Sequence, residues 1–174
     1  MTDTALIDRN KTAVIIIDFQ VGSLGFFPKE IEDGLIARAN QVSAAARQKG
    51  IPVIFLRFQK AERTPDTELH PKLIVQSGEL VLAKKKSSPF STTDLDERMK
   101  KRGIDTLVIL GVYTGGAVLS TVKWAAEMDY KMFVLSDCCA ERDDEVQRVL
   151  MGKVLTHKTT VLTAKGFLEL LAKS

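Results

Sequence analysis

The chain has 174 residues, of which 45% are hydrophobic and 27% charged, and this composition predicts one globular domain over residues 1–174 rather than a disordered or fibrous chain. The formal net charge is only +3, and the lysine-rich runs at 84–86 and 100–102 carry no interleaved aromatic residues, so neither a nucleic acid nor an anionic membrane is expected as a partner. The N-terminus has no signal pattern, and no apolar run approaches the ~18 residues of a membrane span. The only two cysteines are adjacent. From these features we expect a cytoplasmic protein.

Short apolar runs alternate with amphipathic stretches along the chain. The first run, TAVIIID at residues 12–18, is typical of a strand that is buried on both faces. Residues 28–49 place their apolar side chains on one helical face, and Gly50 ends this helix. The same patterns predict further strands at 51–58, 79–84, 105–112, 131–137 and 159–163. They predict further helices at 92–102, 115–128, 144–154 and from 165 onward.

This order of elements predicts the fold class. Strands that alternate with helices imply right-handed crossovers and parallel pairing. We therefore expect a three-layer α/β/α, Rossmann-like domain with a central, mostly parallel sheet of six strands. In open sheets of this kind, ligands bind beyond the carboxyl ends of the strands, so the residues that follow the strands are the first candidates for a functional site.

Three polar residues stand at or just after predicted strand ends. Asp18 follows the first strand. Burial there would raise the pKa of its carboxyl, and a nearby cation would lower it. Either environment suits a group that transfers a proton. Lys84 ends the third strand and would reach the same edge, where it could hold Asp18 ionised or stabilise negative charge on a substrate. Gln20 could orient Asp18 or bind a polar group of the substrate. A strand cap and a solvated lysine are the structural alternatives for Asp18 and Lys84.

The turn after the fourth strand reads GVYTGGAV, residues 111–118. Its glycines allow tight backbone geometry, and the helix that follows directs free N–H groups and its positive dipole end at whatever lies above. This arrangement predicts an anion or oxyanion site, although a turn that needs glycines only for packing would have the same sequence. The position where a nucleophile would be expected carries Ala117, which has no group to activate.

The remaining reactive residues do not form a recognisable site. Cys138 and Cys139 follow the predicted fifth strand without a nearby histidine, which is typical of small buried residues. His70 and His157 have no mutual spacing that indicates a metal site. We therefore expect neither a metal nor a cofactor.

Three motifs occur in a fixed order: Asp18 within DFQ, Lys84 six residues before Phe90, and GVYTGGAVLSTV at 111–122. Together they resemble the isochorismatase-like (cysteine hydrolase) superfamily, and the resemblance extends over nearly the whole chain. In the amidases of this superfamily an Asp, a Lys and a Cys form the catalytic triad. The resemblance assigns these positions to Asp18, Lys84 and Ala117.

The resemblance has further implications for the turn and for assembly. It implies a cis peptide before Tyr113, with the backbone N–H groups of Tyr113 and Ala117 forming an oxyanion hole. We accordingly expect Gln20, Tyr113, Thr114 and Gly116 to contact a small-molecule substrate. Members of the superfamily are often dimers or tetramers, so a homo-oligomer is expected by resemblance.

Ala117 is the departure that decides the mechanism, because a thiolate cannot attack from a residue without sulfur. The leading interpretation is a hydrolase that works like true isochorismatases, which have glycine at this position: Asp18 protonates a vinyl-ether carbon and water adds to the resulting oxocarbenium ion. The alternatives are a Cys-dependent amidase or ureidohydrolase whose nucleophile was replaced by Ala, and a catalytically silent small-molecule-binding homologue. True isochorismatases carry GVYAH and DMQ where this chain has Thr114, Gly115 and Phe19, so isochorismate itself is not the expected substrate.

Overall fold

The computed structural model describes residues 7–174 and is built around one sheet of six strands. The strands are β1 Thr12–Ile17, β2 Val53–Phe58, β3 Leu80–Lys84, β4 Thr106–Val112, β5 Lys131–Ala140 and β6 Thr160–Leu162. They lie in the order β3-β2-β1-β4-β5-β6, and each neighbouring pair is parallel. The predicted six-stranded sheet is confirmed, and it is parallel throughout.

Helices and single helical turns connect the strands. The helices are α1 Val21–Leu24, α2 Lys29–Gln48, α3 Leu95–Lys101, α4 Leu119–Glu127, α5 Asp144–Val149 and α6 Ala164–Ala172. Single 3₁₀ turns occur at Pro65–Thr67, Pro89–Ser91 and Leu155–His157, and single π turns at Thr114–Val118 and Leu150–Val154. Among residues 7–174, no helix combines the length and the apolar character that a membrane crossing needs.

The side chains of β1 alternate between two hydrophobic cores. Val14 and Ile16 pack on the face that α2 and α6 cover. Ala13, Ile15 and Ile17 pack on the opposite face, which α3 and α4 cover. Both faces of β1 are therefore buried, which explains its uninterrupted apolar sequence. This arrangement is the three-layer α/β/α fold that the sequence predicts.

The fifth strand is longer than predicted. It was expected to end at 137 but continues to Ala140, so Cys138 and Cys139 lie within β5 rather than after it. The register with β4 shifts between Ile109 and Gly111, and pairing then resumes with Gly111 opposite Cys139. The shift keeps the strand in the sheet for three further residues and moves its carboxyl end.

Two helix starts also differ from the predictions. The helix expected at 115–128 begins as the π turn Thr114–Val118 and becomes α4 at Leu119. The helix expected from 92 begins at Leu95, because a 3₁₀ turn at Pro89–Ser91 precedes it. The Thr93 hydroxyl accepts a hydrogen bond from Leu95 N at 3.3 Å.

Candidate active site

The carboxyl ends of β1, β3 and β4 meet at a cavity of about 390 Å³. Asp18 follows β1, Lys84 ends β3, and Ala117 lies in the turn after β4; all three line the cavity. This volume lies within the range of small-molecule binding pockets. The structure thus brings together the three positions that the motifs single out.

Asp18 and Lys84 form a buried ion pair. Lys84 Nζ lies 2.7 Å from Asp18 Oδ2, and the exposed fractions of the two residues are 0% and 7%. Lys84 Nζ also donates to the carbonyl oxygen of Lys86 at 3.3 Å and lies 5.1 Å from the centre of the Phe58 ring. Two charges are rarely held this far from water unless they are paired, and a pair of this kind at a cavity is typical of a functional site.

Burial determines the protonation behaviour of Asp18. Burial raises the pKa of Asp18 from 3.8 to about 6, and it outweighs the charge and hydrogen bond of Lys84, which lower the pKa. The second carboxyl oxygen, Oδ1, is shielded from solvent and has no hydrogen-bond partner within residues 7–174. A buried, unpartnered carboxylate oxygen disfavours the ionised form. Asp18 is therefore suited to hold and release a proton near neutral pH.

The backbone of Asp18 has a positive φ of 58°. Asp and Asn tolerate this left-handed conformation better than most residues do. The Asp18 N–H donates to the carbonyl oxygen of Leu56 at 2.8 Å, so the residue remains attached to β2 as it leaves β1. Asn is accordingly the replacement for Asp18 that changes the charge with least disturbance of the backbone.

Gln20 lies at the cavity, but its amide is engaged with the backbone of two other segments. Nε2 donates to the carbonyl oxygens of Phe58, at 3.0 Å, and Thr67, at 2.6 Å. Oε1 accepts from the N–H of Phe58 at 2.7 Å. These bonds attach the turn Pro65–Thr67 to the end of β2 and so shape one wall of the cavity. A contact between Gln20 and substrate stays a prediction.

The turn after β4 has the backbone feature that the resemblance implies. The peptide between Val112 and Tyr113 is cis. Tyr113, Gly116 and Ala117 line the cavity, and a Cβ placed on Gly116 would meet no atom within 4 Å. Space is thus available directly above the turn.

Thr114 lies apart from the other predicted substrate contacts. It is fully buried and is not among the residues that line the cavity. Its hydroxyl oxygen has no hydrogen-bond partner in the part of the chain that the structure describes. This position gives no support to the prediction that Thr114 contacts substrate.

A carboxylate already occupies part of the helix opening that the turn creates. Glu141 Oε2 accepts a hydrogen bond from Gly115 N at 2.9 Å, and Glu141 Oε1 accepts one from Arg142 N, also at 2.9 Å. The negative charge of Glu141 therefore lies at the start of the helix, whose positive dipole end was expected to attract an anion. The sequence did not predict this contact.

Three charged residues line the cavity without having been predicted: Lys60, Asp66 and Arg142. Arg142 and its neighbour Glu141 come directly after β5, and Lys60 follows β2 by two residues. The rule that identified Asp18 would have identified Arg142 as well if the end of β5 had been predicted correctly.

The other reactive residues behave as small or structural groups. Cys138 and Cys139 are buried, as predicted, and burial raises the pKa of Cys138 well above its usual range and that of Cys139 to about 12. His70 Nε2 lies 3.1 Å from Glu32 Oε1, and both side chains are mostly buried. Within residues 7–174, no group of three His, Cys, Asp or Glu side chains is arranged to hold a metal ion.

Comparison with known proteins supplies independent evidence for the family. The Isochorismatase domain family matches residues 12–165. The chain is 26% identical over 189 residues to YwoC, an uncharacterised isochorismatase family protein of Bacillus subtilis, covering 97% of this chain and 98% of YwoC. It is also 26% identical over 157 residues to a probable isochorismatase of Pseudomonas chlororaphis, covering 80% of this chain and 76% of that protein.

Solved structures show the same fold. The crystal structure of a cysteine hydrolase from Pseudomonas syringae pv. phaseolicola superposes with a TM-score of 0.87 at 22% identity, covering 99% of each chain. The family match spans β1 to the start of α6 and so includes Asp18, Lys84 and the turn after β4. The chain therefore belongs to the isochorismatase family.

Proposed function

We propose that this isochorismatase-family hydrolase acts on a small polar metabolite, with Asp18 as general acid and base and Lys84 as its partner. The observation that carries the proposal is the buried Asp18–Lys84 pair, 2.7 Å apart, at a cavity where residue 117 is Ala. Without sulfur at this position, an acyl-enzyme cannot form there. A carboxyl whose pKa burial raises to about 6 can still donate a proton to a substrate near neutral pH.

Hydrolysis of a vinyl ether is the reaction that suits this pair. Asp18 donates its proton to the carbon of the C=C bond that does not bear oxygen, and the other carbon becomes an oxocarbenium ion. Water adds to that cationic carbon, and its proton passes to the Asp18 carboxylate. The resulting hemiketal breaks its C–O bond to release a ketone and an alcohol, so one water is consumed and Asp18 is regenerated.

Lys84 acts on this reaction through Asp18. When Asp18 has given up its proton, the ammonium group at 2.7 Å from Oδ2 stabilises the new carboxylate. The carboxylate in turn lies beside the cationic intermediate and stabilises it. Tyr113 and Gly116 line the same cavity, which supports their proposed contact with substrate.

A conservative substitution tests the role of Asp18. Asp18→Asn keeps the side-chain shape and tolerates the positive φ, but it cannot donate a carboxyl proton. Asp129→Asn is a matched control, because Asp129 is exposed and is the other non-glycine residue in the described chain with a positive φ, 63°. In a hydrolysis screen of vinyl ethers, amides and ureides, we expect Asp18→Asn to lower the rate by about 10²-fold or more, while Asp129→Asn leaves it unchanged. An undiminished rate in a folded Asp18→Asn protein would refute the assignment.

The main alternative is a Cys-dependent amidase or ureidohydrolase in which Ala stands at the nucleophile position. The open space above Gly116 favours it, since it fits a turn built for a nucleophile. The same screen on Ala117→Cys separates the interpretations. Amide or ureide hydrolysis by the cysteine variant alone supports this alternative, and vinyl-ether hydrolysis by the unaltered chain supports the leading proposal.

We also propose a cytoplasmic homo-oligomer, dimer or tetramer. Exposed apolar side chains, among them Phe26 and Ile31, support an interface with another copy of the chain. Light scattering coupled to size-exclusion chromatography measures the assembly directly, and a monomer at micromolar concentration would contradict this part of the proposal.

A further inference from the structure

A second cavity, of about 490 Å³, lies at the opposite edge of the sheet from Asp18. It is lined by residues at the starts of β4, β5 and β6 and by the turn that precedes β1, and we name it the amino-edge cavity. Because β1 has six residues and each advances the chain by about 3.3 Å, roughly 20 Å separate this cavity from Asp18. The proposed hydrolytic chemistry uses none of its residues.

Backbone hydrogen bonds hold the segments around the amino-edge cavity together. The carbonyl oxygen of Lys11 accepts from the N–H groups of Asp105 and Thr106, both at 3.0 Å. The carbonyl oxygen of Asp105 in turn accepts from the N–H of Lys131 at 2.8 Å. The segments that start β1, β4 and β5 are therefore fixed relative to one another. A cavity with such a frame is formed before any ligand arrives, which reduces the entropy that binding must overcome.

Three lysines line the amino-edge cavity: Lys11, Lys131 and Lys158. All three are exposed, and none of them forms an ion pair within residues 7–174. By contrast, the exposed lysines Lys100 and Lys101 pair with carboxylates one helical turn away. Three ammonium groups around one cavity produce a positive potential that attracts a multiply charged anion, and lysine is well suited to bind phosphate.

Two carboxylates also line this cavity, and the protein fixes both in place. Asp8 Oδ1 accepts from the N–H of Asn10 at 3.0 Å, and Asp105 Oδ1 accepts from the Thr106 hydroxyl at 2.7 Å. The second oxygen of each carboxylate can accept a hydrogen bond from a ligand. Carboxylates accept from hydroxyl groups and repel a phosphate. The lining thus suits a ligand whose phosphate and hydroxyl groups lie at separate positions.

We propose that the amino-edge cavity binds a phosphate monoester of a polyhydroxylated molecule, a class that includes sugar phosphates and nucleoside monophosphates. The three lysines bind the phosphate, and the two carboxylates accept hydrogen bonds from hydroxyl groups. Met132 and Phe133 also line the cavity and supply an apolar surface for the carbon skeleton. The site is distinct from the Asp18 cavity, so the inference goes beyond the proposed function and does not depend on it.

Calorimetric titration with ribose 5-phosphate, ribose and inorganic phosphate tests both halves of the ligand. We expect the unaltered protein to bind ribose 5-phosphate at least about tenfold more tightly than either of the other two. Lys131→Gln/Lys158→Gln should weaken this binding by about 10- to 100-fold, because two charge-assisted hydrogen bonds are lost. Asp8→Asn keeps an acceptor for Asn10 N but removes the negative charge. It should therefore reduce the preference for ribose 5-phosphate over inorganic phosphate.

Two controls separate this site from net charge and from the Asp18 cavity. Lys123→Gln/Lys173→Gln removes the same charge from exposed lysines outside the amino-edge cavity and should change the affinity by less than about twofold. Arg142→Gln, at the Asp18 cavity, should also leave it unchanged. Thermal unfolding of both double variants checks that each is folded. Ribose 5-phosphate binding no tighter than ribose would overturn the proposal, as would equal losses in the two double variants or a loss in Arg142→Gln alone.

Adenosine 5′-monophosphate distinguishes the two members of the ligand class. Tighter binding than ribose 5-phosphate that is lost in Lys131→Gln/Lys158→Gln would identify a nucleoside monophosphate, and equal or weaker binding would identify a sugar phosphate. None of these titrations requires turnover. A protein that binds no phosphate monoester would refute this site and leave the proposed hydrolysis standing, and a protein that hydrolyses no vinyl ether could still confirm the site.

Discussion

Removing both charges of the Asp18–Lys84 pair should stabilise the protein, although removing either one should destabilise it. The pair is almost fully buried. Asp18→Asn leaves a buried ammonium without its carboxylate, and Lys84→Met leaves a buried carboxyl without its cation. Loss of one partner of a buried pair costs about 3–5 kcal/mol, whereas replacing both partners by uncharged groups of similar size is neutral or stabilising by about 1–4 kcal/mol.

The pKa of Asp18 gives a second, independent value for the free energy of burying this carboxyl. Burial raises it from 3.8 in the unfolded chain to about 6 in the fold, and this difference corresponds to about 3 kcal/mol. Because the folded pKa is the higher one, the folded state holds the proton more tightly between these values. The contribution of Asp18 to stability is therefore fully present below pH 3.8 and is lost as the pH rises through about 6. The double variant Asp18→Asn/Lys84→Met should escape this loss.

The assay is urea unfolding, at pH 4.5 and pH 8, of the unaltered protein, the two single variants and the double variant. At pH 8 we expect both single variants below the unaltered protein and the double variant above it. A difference of about 3 kcal/mol shifts the melting temperature by about 6–12 °C in a chain of this size. Lys84→Met should be less destabilised at pH 4.5, where Asp18 is mostly protonated. The reasoning is wrong if Lys84→Met is as stable as the unaltered protein at pH 8, or if the double variant is no more stable than the single ones.

Three further predictions concern the pH response and the turn after β4. If Asp18 acts as the acid, kcat/KM should fall about tenfold per pH unit above its pKa of about 6, and a rate that rises with pH would contradict this role. Gly111→Ala should cost about 1–3 kcal/mol in thermal unfolding, because its Cβ would lie 2.7 Å from Val118 Cγ2, and adding Val118→Ala should recover part of the loss. The third prediction compares Ala117→Cys with the double variant Ala117→Cys/Glu141→Gln, using the pH profile of iodoacetamide alkylation to measure the pKa of the new thiol. Removal of the Glu141 charge should lower this pKa by up to about one pH unit. Identical profiles for the two variants would show that the Glu141 charge does not act on this position.

The meeting of Asp18 and Lys84 at one edge of the sheet could be predicted from sequence, because it depends on local patterns. A continuous apolar run ending in Asp18 predicts both a buried strand and a carboxylate at its end, and the third strand does the same for Lys84. Parallel pairing then brings the two ends to one edge of the sheet. The ion pair is a consequence of this topology, and the structure has it at 2.7 Å.

Other features depend on contacts between distant segments and could not be predicted. The direction of the Asp18 pKa was left open because it is decided by how completely the folded chain covers the carboxyl. The amide of Gln20 is occupied by backbone groups 38 and 47 residues away, and nothing near Gln20 in sequence indicates them. Arg142 was missed because β5 was expected to end three residues early, and the register shift that extends it arises from its pairing with β4.

The order of the strands has a consequence for how the enzyme loses activity on heating. Lys84 ends β3, which lies at the edge of the sheet and, among residues 7–174, pairs only with β2. Edge elements exchange their amide hydrogens through local opening that leaves the rest of the fold intact. Opening of β3 alone would separate Lys84 from Asp18, while β1 and β4 at the centre stay paired. If Lys84 acts in catalysis as we propose, inactivation should therefore precede the melting of the central sheet.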